Sequence, residues 1–237
     1  MIRFIACNAF IGIYTIIMCV YGLILSLFDK NGYLMHKYAA FTWARVILFV
    51  CGVKLEVKGL EDIDQDRAYI YVSNHQGAFD IFTVLAGLRV NFRFILKKEL
   101  MKIPLLGYAM SRVGHISIDR ADIRKAVKGM DRAAEKAREG ISILMFPEGT
   151  RSENGDVKAF KKGAYQVALK SGCDIVPIAI SGSKDVVPKG SMRINSGKIR
   201  LSIGNPIPIK DYTKKDIDQL IAKSREAIIG MMSEETI

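Results

Sequence analysis

Asn74-His75-Gln76-Gly77-Ala78-Phe79-Asp80 sets one of the chain's three histidines five residues before an aspartate. Histidine is the side chain whose charge changes nearest to neutral pH. A carboxylate in reach of its ring would fix the tautomer and stabilise the imidazolium that forms. That is the composition of a general base for a hydroxyl proton. A second stretch, Phe146-Pro147-Glu148-Gly149-Thr150-Arg151-Ser152, pairs a turn-forming glycine with a guanidinium, whose planar fork of donors suits phosphate. Gly114-His115-Ile116-Ser117-Ile118-Asp119-Arg120 ends on another arginine, and Lys97-Lys98-Glu99-Leu100 brings two cations together. Each has a plainer reading. An H-x-x-x-x-D spacing taken alone more often marks a structural histidine. Arg120 could pair with Asp119 or Asp122, Lys98 could be a solvated strand end, and His115 reads as an ordinary histidine near a sheet end. His36, between two apolar segments, is expected at an interface.

These residues need a frame to bring them together. Apolar runs predict strands at 54–57, 68–72, 92–96, 115–118, 141–146, 175–180 and 198–203. Helical patterns fall between them at 79–87, 104–111, 121–138 and 160–169, and a last helix covers 211–232. In the 121–138 helix, Ile123, Ala126, Val127, Met130 and Ala134 form the expected apolar side. Gly140 and Gly172 stop the preceding helices. Strands alternating with helices predict an α/β fold, a mainly parallel sheet flanked by helices. Ligands of such sheets gather beyond the carboxyl ends of strands, where the motifs above lie.

Ahead of this region the chain is membrane-like. Residues 4–28 carry no charge and as a helix would measure about 37 Å, against roughly 30 Å of bilayer hydrocarbon. A second apolar stretch, 39–53, is broken only by Arg45, and Asp29-Lys30-Asn31-Gly32-Tyr33 turns between the two. Two arrangements stay open: one spanning helix with an interfacial second, or a two-helix hairpin in one leaflet. A cleaved signal peptide is disfavoured by the length of the run and the lack of a small-residue cleavage site. The expected division is a membrane-associating two-helix motif over 1–53 and a catalytic domain over 54–237.

At 237 residues, half of them hydrophobic, the chain can bury a full core. Its net charge of +11 points to anionic partners. Nucleic acid would suit that charge but leaves the apolar front end unexplained, so an anionic membrane surface is expected. Cys7, Cys19, Cys51 and Cys173 form no C-x-x-C pair and read as reduced thiols; with three scattered histidines, no metal site is expected.

Together the blocks resemble the glycerolipid acyltransferase family, in particular its bacterial 1-acyl-glycerol-3-phosphate acyltransferases. The family's N-H-x-x-x-x-D falls on Asn74, His75 and Asp80. K-x-E-L-x-x-x-P-x-x-G falls on Lys97 to Leu100, Pro104 and Gly107, and G-x-I-x-I-D-R on Gly114, Ile116, Ile118, Asp119 and Arg120. F-P-E-G-T-R-S is complete, and Val176-Pro177-Ile178 matches a late block. Five blocks in order are a specific signal. Gly77 departs from the pattern, since many members have serine there.

The resemblance implies acyl transfer from acyl-CoA or acyl-carrier-protein to the sn-2 hydroxyl of lysophosphatidic acid, giving phosphatidic acid, without a cofactor. It implies His75 as base with Asp80 as its orienter. Arg120, Glu148, Gly149, Thr150 and Arg151 would form the acceptor phosphate site, with Glu148 orienting an arginine. Oxyanion donors would come from backbone amides or Lys97. It further implies a catalytic domain on the cytoplasmic face of the cell membrane. A different acceptor, or a non-catalytic lipid-binding protein, is the alternative; no G-x-S-x-G elbow supports a hydrolase.

Overall fold

The computed structural model describes residues 2–29, 31–188 and 190–233; Lys30 of the expected interhelical turn lies outside them. A long helix, α1 (Ile2–Leu25), leads through a π-helical turn (Met35–Ala40) into α2 (Phe41–Val50). There follow β1 (Val53–Lys58), β2 (Ile70–Ser73), α3 (Asp80–Gly87), β3 (Phe92–Lys97), a 3₁₀ turn (Lys98–Lys102), α4 (Leu106–Val113) and β4 (Ile116–Ile118). The second half holds α5 (Ile123–Arg138), β5 (Ser142–Met145), α6 (Gly163–Ser171), β6 (Ile175–Ser181), α7 (Ser183–Val186), β7 (Gly197–Ile203) and α8 (Ile217–Ser233).

The seven strands form one sheet in the order β1-β7-β6-β2-β5-β3-β4. All pairings are parallel except β6 with β7, which is antiparallel. The α/β expectation holds, with that one reversal. Because β2 to β6 run the same way, their carboxyl ends share one edge. Alternation along the strands supplies two apolar faces. Tyr71, Phe94, Leu144, Val176 and Ile178 pack beneath α2 and α3, while Ile70, Val72, Ile143, Met145 and Ile175 pack beneath α5, α6 and α8.

One expected face and one expected helix start are redrawn. In α5, Ile123 and Val127 point to solvent, and Gly129, Ala133, Ala134 and Ala137 are buried. A Cβ on Gly129 would lie 2.7 Å from Ile118 Cγ2, so this helix approaches the sheet too closely for large side chains. The final helix begins at Ile217, after a 3₁₀ turn capped reciprocally by Thr213 and Asp216.

The front end is bound to the body on one side only. Ala44, Ile47 and Leu48 of α2 join the core under the sheet. Arg3 donates to the Cys51 carbonyl at 2.9 Å, and Trp43 Nε1 donates to Thr15 Oγ1 at 2.9 Å. Between α1, α2, α4 and the sheet lies an apolar cavity of about 220 Å³, lined by Met18, Met35, Trp43, Leu85, Leu96 and Met110 among others. The outer side of α1 presents Ile13, Ile16, Ile17 and Ile24 to solvent, flanked by Leu27, Phe28 and the 83% exposed Phe49. Residues 3–25 are the one described helix long and apolar enough to cross a membrane.

His36 is not interfacial. It is buried, its Nε2 donates to the Val90 carbonyl at 3.2 Å, and its ring meets Phe92 edge-on. Burial, reinforced by Arg93, pulls its pKa down to about 3, so it stays neutral in the fold. His115 is likewise structural. Its Nδ1 accepts from Phe94 N at 3.1 Å, and desolvation, with His36 and Arg93 close by, holds its pKa well below the usual value.

Candidate active site

The shared carboxyl edge gathers the loops that follow β2, β5 and β6. His75 leaves β2 with its ring stacked on Phe146, which leaves β5; the centroids are 4.3 Å apart at 21°. Its Nδ1 lies 2.6 Å from Asp80 Oδ2. The carboxylate can only accept, so Nδ1 carries the proton and Nε2 presents a lone pair. Nε2 has no protein partner among the described residues, and the side chain keeps 19% of its exposure.

Asp80 opens α3 and is fully buried. Its Oδ2 also accepts from Gln76 N at 2.7 Å and Gly77 N at 3.0 Å, while Oδ1 accepts from the hydroxyl of Ser183, just beyond β6. Four donors thus hold the Asp80 carboxyl group in place against the imidazole.

The neighbouring loops are laced to this pair. Glu148 Oε1 accepts from His75 N at 2.9 Å, and the His75 carbonyl accepts from Ser152 N at 2.7 Å. Asn74 exchanges two hydrogen bonds with the backbone of Ile180, at 2.8 and 2.9 Å, extending the β2–β6 pairing through a side chain. Gln76 Nε2 reaches the Gly155 carbonyl at 3.2 Å. Glu148 thus orients the histidine loop, not an arginine. Desolvation raises its pKa, and its other oxygen, Oε2, is buried without a hydrogen-bond partner.

The cations are distributed less evenly. Gly149 adopts φ +75°, a turn that L side chains resist, and its carbonyl accepts from Arg120. Arg120 pairs with neither nearby aspartate. Asp119 is bonded to Lys98 at 2.5 Å, and Asp122 caps α5 by accepting from Lys125 N at 3.1 Å. Arg120, Lys161 and Gly149 line a second cavity of about 210 Å³ whose other walls include Phe146 and Met145. The half-buried Arg151 and exposed Thr150 adjoin that turn. Lys97 is exposed, with its Nζ 3.7 Å from Glu99.

Phe146 links the two cavities. It lines the cation-bearing one, and it stacks 6.5 Å from Phe94, a wall residue of the apolar one. Among the described residues no cluster of His, Cys, Asp and Glu could hold a metal ion.

Ser183, Phe146 and Gln76 were given no site role by sequence. Ser183 follows a strand whose carboxyl end lies on the active edge, and that position is the signal that could have flagged it.

Residues 54–181 match the family model described as Acyltransferase. A chloroplastic 1-acyl-sn-glycerol-3-phosphate acyltransferase of Arabidopsis thaliana is 40% identical over 76% of this chain, which spans about half of that protein (51%). The human 1-acyl-sn-glycerol-3-phosphate acyltransferase alpha is 30% identical over 79% of this chain and 67% of its own length. Among solved structures, the 1-acyl-sn-glycerophosphate acyltransferase PlsC of Thermotoga maritima superposes with a TM-score of 0.79 at 27% identity, covering 95% of this chain and 94% of that one.

Proposed function

The chain belongs to the acyltransferase family, and on that premise we propose that it esterifies the sn-2 hydroxyl of lysophosphatidic acid with an acyl chain from acyl-CoA or acyl-carrier-protein, yielding phosphatidic acid. The observation that carries this reading is the open Nε2 of His75. It belongs to a ring held 2.6 Å from a buried carboxylate and stacked on Phe146, which lines the cation-bearing cavity and packs on Phe94 of the apolar one.

Nε2 takes the proton of the acceptor hydroxyl as its oxygen attacks the thioester carbonyl carbon. The resulting tetrahedral oxyanion collapses, the carbon–sulfur bond breaks, and the imidazolium returns the proton to the leaving thiolate. Asp80 stabilises the imidazolium in between. Arg120 and Arg151, with the Gly149–Thr150 turn, hold the acceptor phosphate; Lys161 shares the Arg120 cavity. The apolar cavity takes the acyl chain. Backbone amides of the motif turns serve as oxyanion donors in preference to Lys97, whose exposed ammonium lies 3.7 Å from Glu99.

Residues 1–53 act as the membrane-contacting motif and 54–237 as the catalytic domain, with the outer face of α1 in the lipid of the cytoplasmic leaflet. The test crosses acyl-CoA and acyl-carrier-protein with a panel of lyso-acceptors, read by mass spectrometry. Lysophosphatidic acid should be the acceptor consumed, with phosphatidic acid formed. Turnover only with glycerol 3-phosphate or another lysolipid would reject the acceptor, and no transfer to any acceptor would reject the activity.

A further inference from the structure

We propose that Ser183 is a positioning residue of the His75–Asp80 pair, holding the aspartate by the oxygen that the histidine does not use, and that position 77 is glycine so that Ser183 can reach it. The inference rests on His75 being the base.

The two carboxylate oxygens of Asp80 have unequal support. Oδ2 has three donors, all from its own loop: His75 Nδ1, Gln76 N and Gly77 N. Oδ1 has one, the Ser183 hydroxyl, from a segment on the far side of β6. Both residues are fully buried. Without that hydroxyl, Oδ1 would be an anionic oxygen sealed from water with no donor, which is costly. The terminal torsion of an aspartate is soft, so the carboxylate would rotate to seek another donor. That rotation takes Oδ2 off the ring of His75.

Space for Ser183 comes from Gly77. A Cβ there would lie 2.8 Å from the Ser183 carbonyl oxygen and 3.1 Å from its Oγ. The φ of Gly77 is not in the left-handed region, so its backbone does not require glycine. What requires glycine is the closeness of the Ser183 backbone. The β6–α7 junction and the histidine loop therefore meet with no side chain between them, and the hydroxyl is delivered to Asp80 across that contact.

The experiment is steady-state kinetics on the purified full chain with lysophosphatidic acid and acyl-CoA. Ser183→Ala should lower kcat about tenfold, the scale of one hydrogen bond to a charged group, with both KM values within about twofold. In an Asp80→Asn background the same change should cost less than about twofold, because its effect passes through the aspartate. Gly77→Ala, which forces Ser183 away, should reproduce the kcat loss, and adding Ser183→Ala to it should cost nothing more. It also provides the test if Ser183→Ala does not fold. Full kcat in Ser183→Ala, a rise in KM in place of a fall in kcat, or fully additive losses with Asp80→Asn would each overturn the inference. Activity retained by His75→Ala would instead remove the base on which it rests.

Discussion

The active edge and the α1 face are opposite solutions to the placing of polar groups. At the edge, the polar atoms of Asn74, His75, Asp80 and Glu148 are buried or half-buried, and nearly all are paired to backbone or to one another. On α1 the outward atoms are apolar and meet no protein. The first arrangement fixes geometry, since each hydrogen bond removes freedom from a loop. The second fixes nothing within the protein. It has value only against a partner that is itself apolar. On the proposed function, catalysis and location fall to separate surfaces, and substitutions should separate them.

The largest effect should come from the edge. His75→Ala is expected to reduce acyl transfer by roughly 10²- to 10⁴-fold, the usual contribution of a positioned base, with vesicle binding and melting temperature nearly unchanged. A fall in vesicle binding by the same variant would show that the two surfaces are not separable. Next, Arg120→Ala and Arg151→Ala should each raise KM for lysophosphatidic acid by about 10- to 100-fold, the worth of a charge-assisted contact, with a smaller change in kcat. An equal increase in KM for the acyl donor would move the arginines to the donor side.

The α1 face should respond in the other assay. Ile16→Ser or Ile17→Ser should each weaken partition onto anionic lipid vesicles by about tenfold, the scale of withdrawing one large apolar side chain from lipid, and should leave activity on detergent-dispersed substrate intact. Sedimentation with vesicles measures the first and the mass-spectrometric assay the second. Unchanged partition would leave the exposed isoleucines without a membrane role.

The smallest effect concerns Glu148. Its folded pKa is raised by desolvation, so the folded state holds this proton more tightly than the unfolded chain does. That favours the fold at acid pH. The contribution is complete below the ordinary glutamate range and is lost as pH rises through the raised value. Glu148→Gln keeps an acceptor for His75 N and removes the titration. Its melting temperature should gain a few degrees on the wild type as pH climbs from about 4 to 7. Parallel melting curves for the two proteins would contradict this.

The elements were legible in the sequence because their signals are local. The continuous apolar run before Phe146 reads as a buried strand, and the alternation of strands and helices carries the α/β class. The H-x-x-x-x-D spacing was legible for the same reason: loop and helix start are contiguous. What sequence could not supply depended on contacts between distant segments. The roles of Ser183 on Asp80, of Asn74 on Ile180 and of Glu148 on His75 each join residues more than seventy positions apart. The burial of His36 depended on the β3 region closing over it, and the reversal of β7 on its place between β6 and β1, strands distant from each other in the sequence. In α5 the period was read correctly but its inward face was set by Ile118, a residue outside the helix.

The seating of β1 has a consequence for the order of events during synthesis. Among the described residues its one sheet neighbour is β7, with Val53 opposite Gly197 and Lys58 opposite Ser202. A strand made early must therefore wait for one made late, and contacts so far apart along a chain form slowly. Meanwhile β2, β5, β3 and β4 can assemble without it. During that interval the first strand is a free edge, able to pair with another nascent copy. Lys54, Glu56 and Lys58 put alternating charge on that edge. Once β7 arrives, Lys198 meets Glu56 at 2.8 Å, so the residues that discourage a wrong neighbour also help to set the register of the right one.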